Sequence, residues 1–524
     1  MSKPAALKPC LFVTTLALCA FNLGCGGGTL NDPPGVATLS VRPTASPLVA
    51  QYTAVTGLEC PGQVAIEFGP DTSYGRMTAW YPVTLSRQTS TIQVAGMRAS
   101  TTYHMRAIAE ALCSDGTTHT FVSADTTFTT GALPATGFPT LTVSRPSPSS
   151  ASPENPGIEM VEVISPNDTL MQAFFTDRDG HPIWYYPTGI SNPETIKFLS
   201  NGHIIFSLAN GSDSLIREVD LAQNTIREMD ISLLQTKMQS SGFNFVPQNL
   251  HHDLLPLSNG HLVVLVNFTK DFPGMPGIIG DGLIDLDENW NPVWAWNSFD
   301  YLDVNRHLNG LPDWTHSNAL QYTQDGNLLL SMRHQSWILK IDYNNGMGTG
   351  RVLWRFGYQG DFALAQDGAA TSDPSLWFSY QHFPSIIDQN GAQTTLAVWD
   401  NGDNRVLDSG GQTCLIGGLP SCYSRATVFE VDESAMVANL VWADQLPYFG
   451  IWGGSINQLP NGNVEFDLNA PAVPPDPDVA SLIREVTQSS TPQVVWQMEI
   501  GPQTQTAYRA YRVPSLYPGV TWQY

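Results

Sequence analysis

The stretch Leu257-Ser-Asn-Gly-His-Leu-Val-Val264 reads as the close of one strand, a turn, and the opening of the next. Asn-Gly tolerates positive φ at both central residues, which a tight two-residue hairpin requires. The same grammar returns at Leu199-Ser-Asn-Gly-His-Ile-Ile-Phe206, Thr323-Gln-Asp-Gly-Asn-Leu-Leu-Leu330, Asp388-Gln-Asn-Gly-Ala392 and Leu459-Pro-Asn-Gly-Asn-Val-Glu-Phe466. The glycines at 202, 260, 326, 391 and 462 are 58, 66, 65 and 71 residues apart. A second element follows most hairpins, as in Ile216-Arg-Glu-Val-Asp220, Ile338-Leu-Lys-Ile-Asp342 and Val428-Phe-Glu-Val-Asp432. A third, carrying tryptophan, closes most units: Val293-Trp-Ala-Trp296, Val352-Leu-Trp-Arg-Phe356, Leu440-Val-Trp442 and Val494-Val-Trp496. Three or four short strands per unit at this period predict a β-propeller. The strands of Met160 to Tyr186, with a last strand near Tyr508 to Val513 closing the ring, bring the expectation to six blades over residues 157–524. An array of sandwiches is the competing architecture, and the repeated three-element unit disfavours it.

Outside this repeat the chain changes character. It is 524 residues long, too many for one ordinary core, so at least two domains are expected. Net charge is −23 with only 14% charged residues, an acidic, lysine-poor balance that argues against nucleic-acid partners and anionic membrane faces. Residues 1–25 read as a secretory signal: Lys3 and Lys8 give a positive start, Cys10 to Leu23 is almost wholly apolar, and Gly24-Cys25-Gly26 follows. The Leu23-Gly24-Cys25 junction resembles a bacterial lipoprotein site, which would lipidate Cys25, although Asn22 stands where an aliphatic residue is usual. Ordinary cleavage nearby is the alternative. Either places the protein outside the cytosol, in the periplasm or outer envelope.

Residues 26–36 read as a Gly/Pro linker and 133–156 as a second linker or extended lead-in. Between them, residues 37–132 carry short alternating strands roughly ten residues apart, the pattern of a small β-sandwich. Met97 to Ile108 resembles the corner of a fibronectin type III domain. No catalytic grouping is visible there, so a spacer or a homodimerisation module is the expectation. In an oxidising compartment the four cysteines beyond the signal pair naturally as Cys60–Cys113 and Cys414–Cys422.

Chemistry is expected where histidines recur. His251 and His252, His316, and His382 lie nine, eight, ten and nine residues before the glycine of their turns. Matching positions in three consecutive blades converge on one axis. Alternation of faces means that His251 and His252 cannot both point inward, and spacing does not choose between them. Asn318 lies two residues beyond His316, hence on its face, and Arg333 lies in the next strand. A single histidine is more often structural than functional. A metal site is a second alternative. No carboxylate recurs with all three histidines, although Asp253, Asp313 and Asp400 are near in sequence, and Arg333 would repel a cation. No metal or other cofactor is therefore expected, and a cationic pocket of this kind suits an oxyanion such as sulfate or phosphate.

The motifs His251-His-Asp253, Asp313-Trp-Thr-His-Ser-Asn318, Ser331-Met-Arg-His-Gln335 and Gln381-His382 resemble the bacterial arylsulfate sulfotransferase family, exported six-bladed propellers, over about Gly157 to the C-terminus. The resemblance implies transfer of a sulfuryl group from an aryl sulfate to a phenol without a nucleotide donor. It implies His382 as the histidine that is transiently sulfated, supported by His252, His316, Asn318 and Arg333. It also implies that Cys414–Cys422 closes a loop near the active site. The fibronectin-like N-terminal part departs from that family. Trp314 and Tyr380 are candidates to stack the aryl ring, with core packing the commoner use of each. A non-catalytic surface propeller that binds a ligand or partner is the alternative function.

Overall fold

A computed structural model describes residues 34–523 except 85, 147–152, 165–170, 190–191, 211–212, 309, 406–412, 415–421, 470, 474–478 and 503–505. The expected signal segment, lipidation at Cys25 and most of the first linker lie outside these residues. What is described is all-β, with one α-helix at Ile231–Ser240.

Six sheets, antiparallel but for one added strand in the fifth, follow one another along the chain in a propeller-like arrangement. The second, Asn192–Phe198 to Thr225–Asp230, the third, Asn249–Pro256 to Pro292–Asn297, and the fourth, Ser317–Tyr322 to Val352–Gly357, are simple four-stranded meanders. The fifth begins at His382–Asn390 and gains the hairpin Ala363–Gln366/Ala369–Ala370, which adds in parallel to Val437–Gln445. The sixth runs from Ile456–Gln458 to Val494–Gly501 and takes Thr140–Ser144 as an edge strand, so the second expected linker is partly strand. The C-terminal strand Thr506–Val513 pairs with Ile158–Ile164 of the first sheet, tying the two ends of the repeat together.

Gly391-Ala392, between the paired Asn390 and Gln393, is a two-residue hairpin turn as expected, but the other four turns differ from that type. Gly260 is at φ +86°, but Asn259 is not left-handed. The Gly260 N–H donates to the Leu257 carbonyl, and the Leu257 N–H donates to that of His261. This is an ordinary turn followed by a glycine bulge. Asparagine is there for its side chain: Asn259 Oδ1 accepts from the His261 N–H, as Asn201 does from His203 and Asn461 from Asn463.

Ring closure rests on a buried ionic knot. Arg512, on the closing strand, bonds Glu159 of the first sheet and Glu485 and Glu465 of the sixth, all almost fully buried. Removing one partner would strand a charge in the interior, at a cost of about 3–5 kcal/mol. The same strand carries Tyr508 and Arg509 toward the middle of the molecule, so closure also positions the site.

The N-terminal region forms two sheets. One comprises Gly35–Pro43, Ala50–Gly57 and Arg87–Val94, and the other is built on Gly62–Gly69 and Thr102–Leu112. Cys60–Cys113 joins the ends of the last two strands. This region is not loosely tethered. Its apolar core is continuous with that of the first two sheets of the repeat, and the C-terminal Tyr517 and Trp522 insert into it. Tyr517 Oη accepts from the Ala95 N–H and donates to the Gln93 carbonyl, while Trp522 Nε1 donates to the Met77 carbonyl.

Candidate active site

The third, fourth and fifth sheets each begin with a histidine-bearing segment whose strand geometry is broken at the histidine. His252 has φ +55° and His316 +47°; in the fifth sheet Tyr380 and Phe383, which flank His382 closely, take +54° and +37°. Strand pairing lapses beside each, between Leu250 and Leu254, Ser317 and Ala319, and His382 and Ser385. Left-handed backbone at bulky residues costs on the order of 1–3 kcal/mol each and persists where the surroundings over-determine it. Its effect is to turn the imidazoles toward one another. The rings of His252 and His316 stand 4.8 Å apart, His316 stacks on His334 at 4.5 Å, and Tyr508 lies 5.7 Å from His252 and 6.1 Å from His382. His252 is the member of the doublet that faces this cluster; His251 stands behind it.

His382 is buried at 2% exposure. Its Nδ1 is 2.7 Å from Asn401 Oδ1, and the Asn401 amide N–H groups are committed to the carbonyls of Gly450 and Gly453. Nδ1 must therefore carry the proton, which leaves Nε2 with its lone pair. The Gly453 N–H points at that lone pair from 3.2 Å. Burial, then the Arg333 guanidinium, hold the His382 imidazole well below its usual range, so it is neutral at pH 7.

Arg333 opens a 3-10 turn just past the strand Leu328–Met332, not within a strand as expected. Its guanidinium lies over the Tyr380 ring at 4.6 Å. It donates to the Ile451 carbonyl, contacts His334 Nε2 at 2.7 Å and approaches Asp403 at 3.7 Å, while its Nε has no partner among the described residues. Burial pushes Asp403 up to about 7.

Asn318 departs from the expected geometry. The bulge removes simple alternation from His316, and the Asn318 amide donates to the Gln381 carbonyl at 2.7 Å, while its Oδ1 has no partner among the described residues. It holds the residue next to His382. Trp314 stacks on Phe299 and donates to the Arg306 carbonyl, which is core packing, and Tyr380 supports Arg333 and His334.

Carboxylates sort into two groups. Asp253 and Asp400 are taken by Arg509 with Lys197 and by Arg405 with Arg425. Asp313 hydrogen-bonds His316 Nδ1; burial opposes its charge, but that bond holds its carboxyl below the usual value. Asp313, His316 and His334 lie close enough together to bind a metal ion. The donor set fits one poorly, because His334 donates from Nδ1 to the Asp313 carbonyl and receives Arg333 at Nε2. Burial, then His316 and Arg333, push His334 down to about 4.

Sequence reasoning missed Asn401, Tyr508 and Arg509. Arg509 donates to the Asn318 carbonyl at 3.0 Å and reaches that of His252 at 3.4 Å, bracing two site segments from the closing strand. Tyr508 has a buried hydroxyl without a partner among the described residues. Neither carries a local signal, since each reaches the site only through ring closure. The Cys414–Cys422 bridge packs on Phe449, next to the Gly450 carbonyl that anchors Asn401. A cavity of about 490 Å³ lies elsewhere, between the N-terminal region and the second sheet, lined by Trp80, Gln93, His203 and Tyr517 among others. Its His203 is spent on Glu218, so the chemistry points to the histidine cluster instead.

Residues 143–512 match the family model described as Arylsulfotransferase (ASST). No curated protein matches the chain. Among solved structures, a protein from Lactobacillus plantarum aligns at 7% identity and TM-score 0.37, covering 68% of this chain and 99% of its own. An apocarotenoid oxygenase variant from Synechocystis aligns at 10% and 0.31, covering 88% and 81%. An inactive variant of virginiamycin B lyase from Staphylococcus aureus aligns at 11% and 0.27, covering 58% and 70%.

Proposed function

The chain belongs to the arylsulfotransferase family, and we propose that it moves a sulfuryl group from an aryl sulfate to a phenolic acceptor through a sulfohistidine at His382, with no nucleotide donor. The observation that carries this reading is the tautomer of His382: a buried, neutral imidazole whose lone pair sits on Nε2 because Asn401 holds the proton on Nδ1. A protonated imidazole has no lone pair with which to attack.

Sulfuryl transfer passes through a loose transition state with charge on three equatorial oxygens, much as phosphoryl transfer does. In the first step Nε2 of His382 bonds to sulfur as the bond from sulfur to the aryl oxygen breaks. Arg333 neutralises the sulfuryl oxygens, and the Gly453 N–H, aimed at Nε2 in the resting site, becomes a donor to one of them. His252 or His316 protonates the departing phenolate. In the second step the same group takes the acceptor's proton, the acceptor oxygen attacks sulfur, and the bond from nitrogen to sulfur breaks. Asn318 serves by fixing Gln381, not by touching the sulfuryl group.

The scaffold of this reading is a six-bladed propeller over residues 157–524, with a fibronectin III-like sandwich at 37–132 built onto it. The protein is exported to the periplasm or outer envelope, and its signal is either cleaved or lipidated at Cys25. Incubation with p-nitrophenyl sulfate and phenol tests the activity: nitrophenol release with formation of phenyl sulfate is expected, together with a sulfo adduct on His382 after brief exposure to donor alone. A folded protein that releases no nitrophenol, or a His382→Asn variant as active as the parent, overturns the proposal.

A further inference from the structure

The His251-His252 doublet does what a regular strand cannot. Adjacent side chains should point to opposite faces. With His252 left-handed and strand pairing suspended from Leu250 to Leu254, the two rings instead stand edge to face at 4.9 Å, with their Nδ1 atoms 2.8 Å apart. Two ring nitrogens at that distance share one proton, given by one and accepted by the other. Behind His251, its Nε2 lies 3.3 Å from Asp281 Oδ1, an ion-pair contact without full hydrogen-bond alignment. Asp281 is 1% exposed, and its second oxygen accepts the N–H of Ser317, beside His316. One carboxylate thus anchors the segments of two site histidines.

The surroundings of the two rings differ, although the Glu194 carboxylate lies near both, 3.8 Å from His252 Nδ1. The carboxylates of Asp281, Glu194 and Asp313 act on His251, and His252 is the imidazole in hydrogen-bond contact with it. Burial works against its proton, but the carboxylates win and its pKa is raised. Around His252, burial first and then His316, His251, His382 and Arg509 all disfavour a proton, and its pKa lies well below the usual range. The shared proton therefore belongs to His251. His252 accepts it at Nδ1 and carries its own proton on Nε2, the face turned to the cluster.

We propose that Asp281 and His251 are positioning residues that hold His252 as the Nε2–H tautomer and so make it the acid, then the base, of the transfer. The inference rests on the sulfotransfer reading and chooses His252 over His316. Protons balance across it. As the bond from sulfur to the aryl oxygen breaks, the Nε2 proton of His252 passes to the phenolate, and the shared proton crosses from Nδ1 of His251 to Nδ1 of His252. His251 is then neutral, with its remaining proton on Nε2 toward Asp281. The acceptor phenol reverses both shifts. Asp313 backs His316 in a similar manner, but with no second imidazole to supply a proton.

Two measurements test this. In the resting protein labelled with ¹⁵N-histidine, two-bond ¹H–¹⁵N spectra should show His252 as the Nε2–H tautomer and Asp281→Asn should shift it toward Nδ1–H. This arm needs no turnover, so it stands even if the sulfotransfer reading fails. In kinetics, Asp281→Asn should cost about 10²-fold in kcat/KM with phenyl sulfate, whose leaving group needs the proton, and under about 10-fold with p-nitrophenyl sulfate, whose leaving group does not. His251→Gln, with an amide N–H able to donate to Nδ1, should retain more activity than His251→Phe. An Nδ1–H His252 in the parent protein, or equal losses with both donors, overturns the proposal.

Discussion

The third and fifth sheets offer imidazoles to the same spot but back them differently. Behind the third-sheet pair stands a carboxylate, Asp281; behind His382 stands an amide, Asn401. Both second partners fix a ring, and only one of them can hold a positive charge in place. A carboxylate favours a proton stored nearby, while an amide orients the ring and leaves it neutral. In the proposed transfer, the division of labour between proton carrier and nucleophile therefore rests on the residues behind the histidines more than on the histidines themselves.

The sharpest break of this comparison is to remove the proposed nucleophile. His382→Asn should lower turnover on the order of 10⁴-fold or more and abolish the sulfo adduct, as loss of the central member of a catalytic unit does. If His252 were the nucleophile instead, the adduct would survive, and peptide mapping would find it there. Arg333→Ala should cost about 10²–10³-fold in kcat, the usual loss of one donor to developing charge. A loss confined to KM would instead place Arg333 in ground-state binding.

Asn401→Asp makes the fifth sheet resemble the third. A carboxylate at Nδ1 favours the imidazolium, so the His382 pKa should rise. In the parent protein the depressed pKa keeps His382 active as pH falls below 6.5, and kcat/KM should stay flat through that value. In the variant the acidic limb should move upward, costing about 10-fold or more in activity at pH 6 while leaving the plateau at high pH nearer the parent. An unmoved limb would mean that Asn401 does not govern the charge on His382.

The repeat was legible because its turn residues have a local physical reason: glycine for the bulge, asparagine for its side-chain acceptor. The histidine positions were legible because the repeat made them equivalent. Their partners were not. Asn401 follows a strand with nothing to mark it, and Asp281 sits between glycines in the third strand of its sheet. Tyr508 and Arg509 arrive from the far end of the chain. Alternation misled at Asn318, because a left-handed residue breaks the period-two rule and no residue type at 316 announces it; at the doublet only His252 faces the cluster, as alternation required, but nothing at 252 announces the left-handed backbone that brings His251 against it.

The smallest effect separates stability from chemistry. His334 lies beneath Arg333 and His316 and is held neutral, its pKa pushed from 6.5 down to about 4. The unfolded chain takes up a proton at this residue below pH 6.5, whereas the folded protein resists it until about pH 4, so this group's contribution is present above pH 6.5 and is lost as pH falls through that window. His334→Gln removes the term. Other groups, among them Asp403, titrate with the opposite sign. The measurement is therefore the difference in unfolding free energy between parent and variant, followed by denaturant titration at several pH values. That difference should change in favour of the variant by up to about 3 kcal/mol between pH 6.5 and 4. A constant difference would show that His334 protonates freely in the folded state, and that Arg333 stands further from it than its 2.7 Å contact implies.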